Sequence, residues 1–150
     1  MRQILIEKHI KPSEIIINEN YIIERWFDRN GDLHSFMGQP AFVGYKNVQI
    51  SYQGWYKKGK CHRDGDQPAY ISYDSNGQID YQEWYKKGDI HRDGDLPADI
   101  GYDSNGQIYY QEWCKKGVRH RDGALPAYIG YDSFGQIIHK TWYKKGEFIK

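Results

Sequence analysis

Along "PADIGY", residues 97 to 102, Ala98, Ile100 and Tyr102 alternate with Pro97, Asp99 and Gly101. A period of two belongs to a strand, because successive side chains leave opposite faces of the pleat. The alternation returns at Ala69, Ile71 and Tyr73 and at Ala127, Ile129 and Tyr131, so these positions mark one constant face. Upstream, "QIDYQEWY" from Gln78 to Tyr85 is dense in strand formers. Between the two stretches lies "KKG", Lys86 to Gly88, and after the second lies "DSNG", Asp103 to Gly106. Glycine supplies the positive φ of a tight turn, and aspartate bonds turn amides through its side chain. The pattern predicts antiparallel strands joined by short turns, with little helical periodicity anywhere.

The same pattern repeats in register. Trp26, Trp55, Trp84, Trp113 and Trp142 stand 29 residues apart, and Pro68, Pro97 and Pro126 keep that interval. We divide the chain into a degenerate N-terminal part (1–25), four repeats (26–54, 55–83, 84–112, 113–141) and a C-terminal cap (142–150), all within one domain. Ile149 stands in the cap where the other units have histidine. Two strands per unit predict an all-β fold, a single elongated antiparallel meander of about nine or ten strands. Tyr81 and Trp84, three apart, face opposite sides of a regular strand unless a bulge intervenes. Without a bulge, each Trp is placed over the small residue of a neighbouring strand: Gly44, Ser72, Gly101 or Gly130.

Composition adds limits. The net charge of +1 gives no global pull towards nucleic acid or acidic membranes. The only apolar run near the start, Ile4 to Ile6, is too short for a signal segment or a membrane span, which suggests a cytoplasmic protein. Cys61 and Cys114 occupy non-equivalent repeat positions, a poor basis for a disulfide framework or paired metal ligands.

"YQEWYKKGDIH" (Tyr81 to His91) and "DSNGQIYYQEW" (Asp103 to Trp113) resemble MORN repeats, and the likeness extends over roughly residues 20 to 146. It is nearest to the longer, degenerate arrays abundant in large DNA viruses of amoebae. The resemblance implies a β-hairpin sheet for protein–protein interaction, scaffolding or self-association, with acidic phospholipid binding in some members. For a viral protein it implies the host cytoplasm or the virion. Two features depart from that family: the 29-residue unit is longer, and Arg-Asp-Gly-Asp replaces a glycine pair after the histidine. "GWYKKG" (Gly54 to Gly59) is also similar to choline- or glucan-binding repeats of secreted bacterial proteins, but those units are shorter and belong to exported chains.

The most chemically suggestive element is "HRDGD", at His62 to Asp66 and His91 to Asp95, with "HRDGA" at His120 to Ala124. "HRD" occurs in kinase catalytic loops, but the remaining kinase motifs are missing. Alternating Asp64 and Asp66, or Asp93 and Asp95, could bind a cation, although the third copy has lost one carboxylate. A structural role fits better: glycine bends the backbone and the Arg and Asp of successive units pair along the array. We therefore expect no catalytic residue, no metal and no cofactor.

Variable positions within faithful repeats are where recognition can be written. On the returning strand these are Phe42, Tyr70, Asp99 and Tyr128; on the outgoing strand, Ser51, Asp80, Tyr109 and Ile138. Phe42, Tyr70, Tyr109, Tyr128 and Ile138 form the expected protein-binding face. The alternative is an anion site for acidic phospholipid along a column of turn lysines: Lys57, Lys58, Lys86, Lys87, Lys115, Lys116, Lys144 and Lys145. Such lysines also keep a thin sheet from pairing at its edges. Neighbouring carboxylates weaken the case for nucleic acid.

Overall fold

The computed structural model describes residues 11–150. The run Ile4 to Ile6 and the first ten residues of the degenerate N-terminal part lie outside the described residues. The chain begins with β1 (Glu14–Ile17), β2 (Tyr21–Arg25) and β3 (Phe42–Lys46). The next elements are β4 (Gln49–Gly54), β5 (Tyr56–Lys57), β6 (Lys60–Cys61) and β7 (Tyr70–Tyr73). The third repeat is preceded by β8 (Ile79–Glu83) and contains β9 (Tyr85–Lys86), β10 (Asp89–Ile90), β11 (Asp99–Tyr102) and β12 (Ile108–Glu112). The last part holds β13 (Cys114–Lys115), β14 (Val118–Arg119), β15 (Tyr128–Tyr131), β16 (Ile137–Thr141), β17 (Tyr143–Lys144) and β18 (Glu147–Phe148).

Ten of these strands form one antiparallel sheet in the order β1-β2-β3-β4-β7-β8-β11-β12-β15-β16, the expected all-β meander. The sheet is open, with β1 and β16 at its edges. No helix among the described residues is long and apolar enough to cross a membrane.

The expected strand from Gln78 to Tyr85 is interrupted at Trp84, so "KKG" does not join the long strands directly. It closes a separate two-residue hairpin, β9 with β10, repeated as β5–β6, β13–β14 and β17–β18. The central residues of this turn, Lys58–Gly59 in the first copy, have φ of 52° and 73°. Positive φ at both positions is the twist that suits a two-residue hairpin. The small hairpins stack along one margin because each turn glycine reaches back one unit: Gly88 N–H donates to the Cys61 carbonyl at 2.9 Å and Gly117 N–H to that of Ile90 at 3.1 Å. At the opposite margin, Asp74, Asp103 and Asp132 each accept two turn amides, as expected; Asp74 Oδ1 takes those of Asn76 and Gln78 at 2.8 and 2.9 Å. The first unit lacks this corner and turns through Asn47–Val48, leaving a β-branched residue at φ 68°.

The constant face is the core. Ala41, Ala69, Ala98 and Ala127 are fully covered, and Val43, Ile71, Ile100 and Ile129 nearly so. Alanine is required where the tryptophan approaches: Trp113 packs on Ala127 and Ile129, and its amide donates to the Ala127 carbonyl. Burying an aliphatic side chain of this size contributes about 1.5–3 kcal/mol, and each unit repeats that contribution against its neighbour. On the same face the Tyr73 hydroxyl donates to Gln53 Oε1 at 2.8 Å, a bond repeated from Tyr102 to Gln82 and from Tyr131 to Gln111.

A bulge does occur, but before Tyr81 and not between Tyr81 and Trp84. Ser72 pairs with Tyr81 while Tyr73 pairs with Ile79, which leaves Asp80 unpaired. The equivalent extra residues are Ser51, Tyr109 and Ile138. Tyr81 and Trp84 therefore lie on opposite faces. It is tyrosine, not tryptophan, that fills the space over the small residues: a Cβ at Gly44 would collide with the Tyr52 ring, and one at Gly101 with the rings of Tyr109 and Tyr110.

Candidate functional sites: loop margin and tyrosine face

The "HRDGD" loops are stitching. Each histidine links two units: His91 Nδ1 accepts the Lys116 amide at 3.2 Å, while Nε2 bonds Asp93 Oδ1 at 3.0 Å. Accepting an N–H at Nδ1 places the proton of a neutral ring on Nε2, which makes Asp93 the acceptor. His62 and His120 repeat this arrangement, and His34 accepts the Lys58 amide in the first unit. The second carboxylate reaches forward: Asp66 Oδ1 and Oδ2 accept Arg92 Nε and Nη2 at 2.8 and 3.1 Å, and Asp95 holds Arg121 likewise at 2.7 and 2.8 Å. Each guanidinium also covers a tryptophan, Arg63 over Trp55 at 3.7 Å, Arg92 over Trp84 at 3.9 Å and Arg121 over Trp113 at 3.7 Å. The Trp indole N–H donates to the preceding unit's loop, from Trp84 to the Asp66 carbonyl and from Trp113 to that of Asp95.

The expected Arg–Asp pairing along the array is therefore present. Asp64 and Asp66, the alternating pair considered for a cation, turn apart, one to His62 and Lys57 and the other to Arg92. Among the described residues no group of three or more His, Cys, Asp or Glu is arranged to hold a metal ion. The bonds hold the carboxyls of Asp64, Asp93 and Asp122 below their usual range, chiefly through His62, Lys86 and His120 respectively. Hydrogen bonds from Arg92 and Arg121 do the same for Asp66 and Asp95.

The lysine column divides in two. Lys57, Lys86 and Lys115 pair with Asp64, Asp93 and Asp122 at 3.1, 2.6 and 3.2 Å. Among the described residues, Lys58, Lys87, Lys116 and Lys145, and also Lys144, form no such ion pair. The first four adopt φ between 52° and 56°, a left-handed conformation in which a side chain costs energy.

The opposite face bears a row of rings. Phe42, Tyr52, Tyr70 and Tyr81 stack on four successive strands with centroids 5.1, 6.3 and 5.7 Å apart. Tyr110 and Tyr128 stack at 5.8 Å, and His139 meets Tyr128 edge-on at 5.9 Å. Of the five predicted partner residues, Phe42, Tyr70 and Tyr128 lie directly in this row. Tyr109 joins it from its bulge, edge-on to Tyr110 at 4.8 Å and 44% exposed. Ile138 occupies the equivalent bulge on β16 and is exposed. The recurrent Tyr52, Tyr81 and Tyr110 were not among the predicted residues. Each stands one residue before a glutamine, Gln53, Gln82 or Gln111, whose side chain bonds a core-face tyrosine, and successive residues of a strand face opposite ways.

The ring row is broken at Asp99, which stands directly between Glu83 and Glu112. Burial pushes the Asp99 carboxyl up to about 6, against the hydrogen bond from the Tyr110 hydroxyl at 2.8 Å. Burial, reinforced by Asp99, pushes Glu83 up to about 7. Glu112 instead has a cation, Arg119 Nη2 at 2.7 Å. Burial also pushes the Cys61 thiol up to about 12 and Cys114 higher still, which keeps both protonated and poorly nucleophilic at neutral pH.

No family model, curated protein or solved structure matches this chain.

Proposed function

We propose that this chain is a non-catalytic, MORN-like interaction module that presents its tyrosine face to a protein partner in the cytoplasm. The observation that carries the reading is the ring row itself. Rings recur on strand after strand, while Tyr70, Tyr109 and Tyr128 vary between otherwise faithful units. Tyrosine supplies large, rigid contact area with a polar tip, a combination favoured at protein interfaces. The histidines, arginines and aspartates of the loops, by contrast, are committed to holding units together.

The test compares immobilised wild type with a variant carrying Tyr70→Ser, Tyr109→Ser and Tyr128→Ser, each folded by circular dichroism, in capture from the same cell extract. Tyr109→Ser alone is the control that disturbs packing least. A partner identified with wild type should be lost with the triple variant. A partner that is retained by the triple variant refutes the reading.

A second reading, binding of acidic phospholipid headgroups at the lysine margin, has one observation in its favour. Lysine occupies the left-handed turn position in four successive hairpins, where asparagine or glycine would fit at lower cost. Pairing of Lys57, Lys86 and Lys115 with aspartates weakens it. Flotation with phosphatidylserine vesicles, comparing wild type with a Lys58→Gln, Lys87→Gln, Lys116→Gln and Lys145→Gln variant, separates the two readings.

A further inference from the structure

The two ends of the sheet are the two halves of one junction. At the last internal junction, Tyr110 pairs with Gly130, Gln111 with Ile129 and Glu112 with Tyr128. Among the described residues, β16 is an outgoing strand with no returning strand beyond it, and β1 is a returning strand with no outgoing strand before it. The equivalence of β1 is close. Ser13 N–H donates to the Arg25 carbonyl as Ala41 N–H does to that of Gly54, and Tyr45 bonds Glu24 where Tyr73 bonds Gln53.

Exposure points the same way. Ile15 is 53% exposed, whereas its equivalents Val43, Ile71, Ile100 and Ile129 are exposed by 4 to 9%. At the other end, the Thr141 carbonyl is taken inside the sheet by the Ala127 amide, so alternation turns the amide and carbonyl of Lys140 to the open edge. The ends also differ in charge. The β16 end carries four lysines and one glutamate over residues 137–150; the β1 end carries three glutamates, one lysine and one arginine over residues 11–25.

We propose that β1 of a second copy of this chain docks antiparallel on β16, continuing the sheet in the register of its internal junctions. Ile15 then lies opposite Lys140 and exchanges both backbone hydrogen bonds with it, while Glu14 lies opposite Thr141. The Trp142 amide is already held by the Lys150 carbonyl at 2.9 Å, which confines the contact to the β16 stretch. Pairing β16 with another β16 would bring the lysines together, whereas head-to-tail docking sets unlike charges against each other. A head-to-tail contact that adds strands to an open sheet in one direction leaves one free edge of each kind at its ends, so growth is open-ended. The inference rests on the interaction-module reading and names one partner for its ends; it leaves the tyrosine face free, so the two are tested by separate substitutions.

The test is sedimentation velocity of the full chain over about a hundredfold concentration range, since association follows mass action. The sedimentation coefficient should rise continuously past that of a dimer. Lys140→Pro and Ile15→Pro each block one edge, at positions whose backbone groups face outwards. Each variant alone should be monomeric, and their equimolar mixture should stop at a 1:1 dimer. Should either proline variant fail to fold by tryptophan fluorescence, a Glu14→Cys, Thr141→Cys double variant gives the same answer. A short bis-maleimide should link it into a ladder of multimers that neither single variant produces. A wild-type chain monomeric at every concentration, a blocked variant that still dimerises alone, or a double variant that gives no ladder overturns the proposal.

Discussion

Replacing Met37 with aspartate should stabilise the protein, because the first junction lacks a carboxylate that the next two possess. Arg63 already makes the other contacts of its class, over Trp55 at 3.7 Å and to the Pro68 carbonyl at 3.2 Å. Burial pushes its guanidinium below the usual range, as expected for a covered cation that has no carboxylate partner among the described residues. Met37 is exposed and has φ 52°, against 51° for Asp66, so the new side chain enters on a backbone already shaped for it. Exposed ion pairs contribute about 0.2–1 kcal/mol. The upper end applies here, since the equivalent Arg92 and Arg121 side chains are only 15% and 13% exposed and bond through two nitrogens. Aspartate also tolerates the left-handed region better than methionine, which adds a few tenths of a kcal/mol. The sum, about 1 kcal/mol, corresponds to roughly 2–4 °C in Tm for a chain of this length. Urea unfolding followed by tryptophan fluorescence measures it. The gain should shrink at high salt and fall to the few tenths of the backbone contribution in an Arg63→Ala background. An unchanged midpoint, or a gain undiminished by the loss of Arg63, would refute the reasoning.

Two further outcomes follow from local geometry. Val48→Gly should stabilise by about 1 kcal/mol, because a β-branched residue at φ 68° in an exposed turn is replaced by the residue that turn prefers, partly offset by glycine's greater unfolded-state entropy; a lower urea midpoint counts against it. Burial pushes the Asp99 carboxyl up to about 6 from its ordinary 3.8, and the Glu83 carboxyl up to about 7 from 4.5, so the folded state binds more protons over this range and stability should rise as pH falls from about 8 towards 4. Below that, protonation of the depressed Asp64, Asp66, Asp93, Asp95 and Asp122 should reverse the trend. Asp99→Asn should raise stability at pH 8 by about 1 kcal/mol after allowance for solvent screening and lower the slope of the upper limb to the part that buried Glu83 contributes, read from urea midpoints across pH.

The meander, its strand number and its core face were legible because they rest on period two and on a 29-residue interval, both properties of the chain read in one dimension. The Arg–Asp pairs were legible for the same reason: their 26-residue separation is fixed by the repeat. The tyrosine row was only partly visible. Its members alternate between variable Tyr70 or Tyr128 and constant Tyr52, Tyr81 or Tyr110, so a search for variable positions finds half of it. The break at Trp84 was hidden, since its cause is a backbone turned to give its amide to Ala98 and its carbonyl to His91, both far from it along the chain. The carboxylate row was also hidden. Glu83 and Asp99 are 16 residues apart in sequence and meet only through the register of β8 and β11.

From the second unit on, each kind of bond between units keeps its own offset, 26 residues from Asp to Arg, 25 from His to the Lys amide and 18 from the loop carbonyl to the Trp indole, and this makes the array a gauge of length. Each 29 residues advance the sheet by two strand spacings, about 10 Å, whatever occupies the variable positions. Removing residues 84–112 would bring Arg121 to Asp66, the Lys116 amide to His62 and the Trp113 indole to the Asp66 carbonyl, recreating every contact that was cut. Length in this protein is therefore counted in whole units, and two partners seated on different units are held apart by a distance that the gene sets in steps.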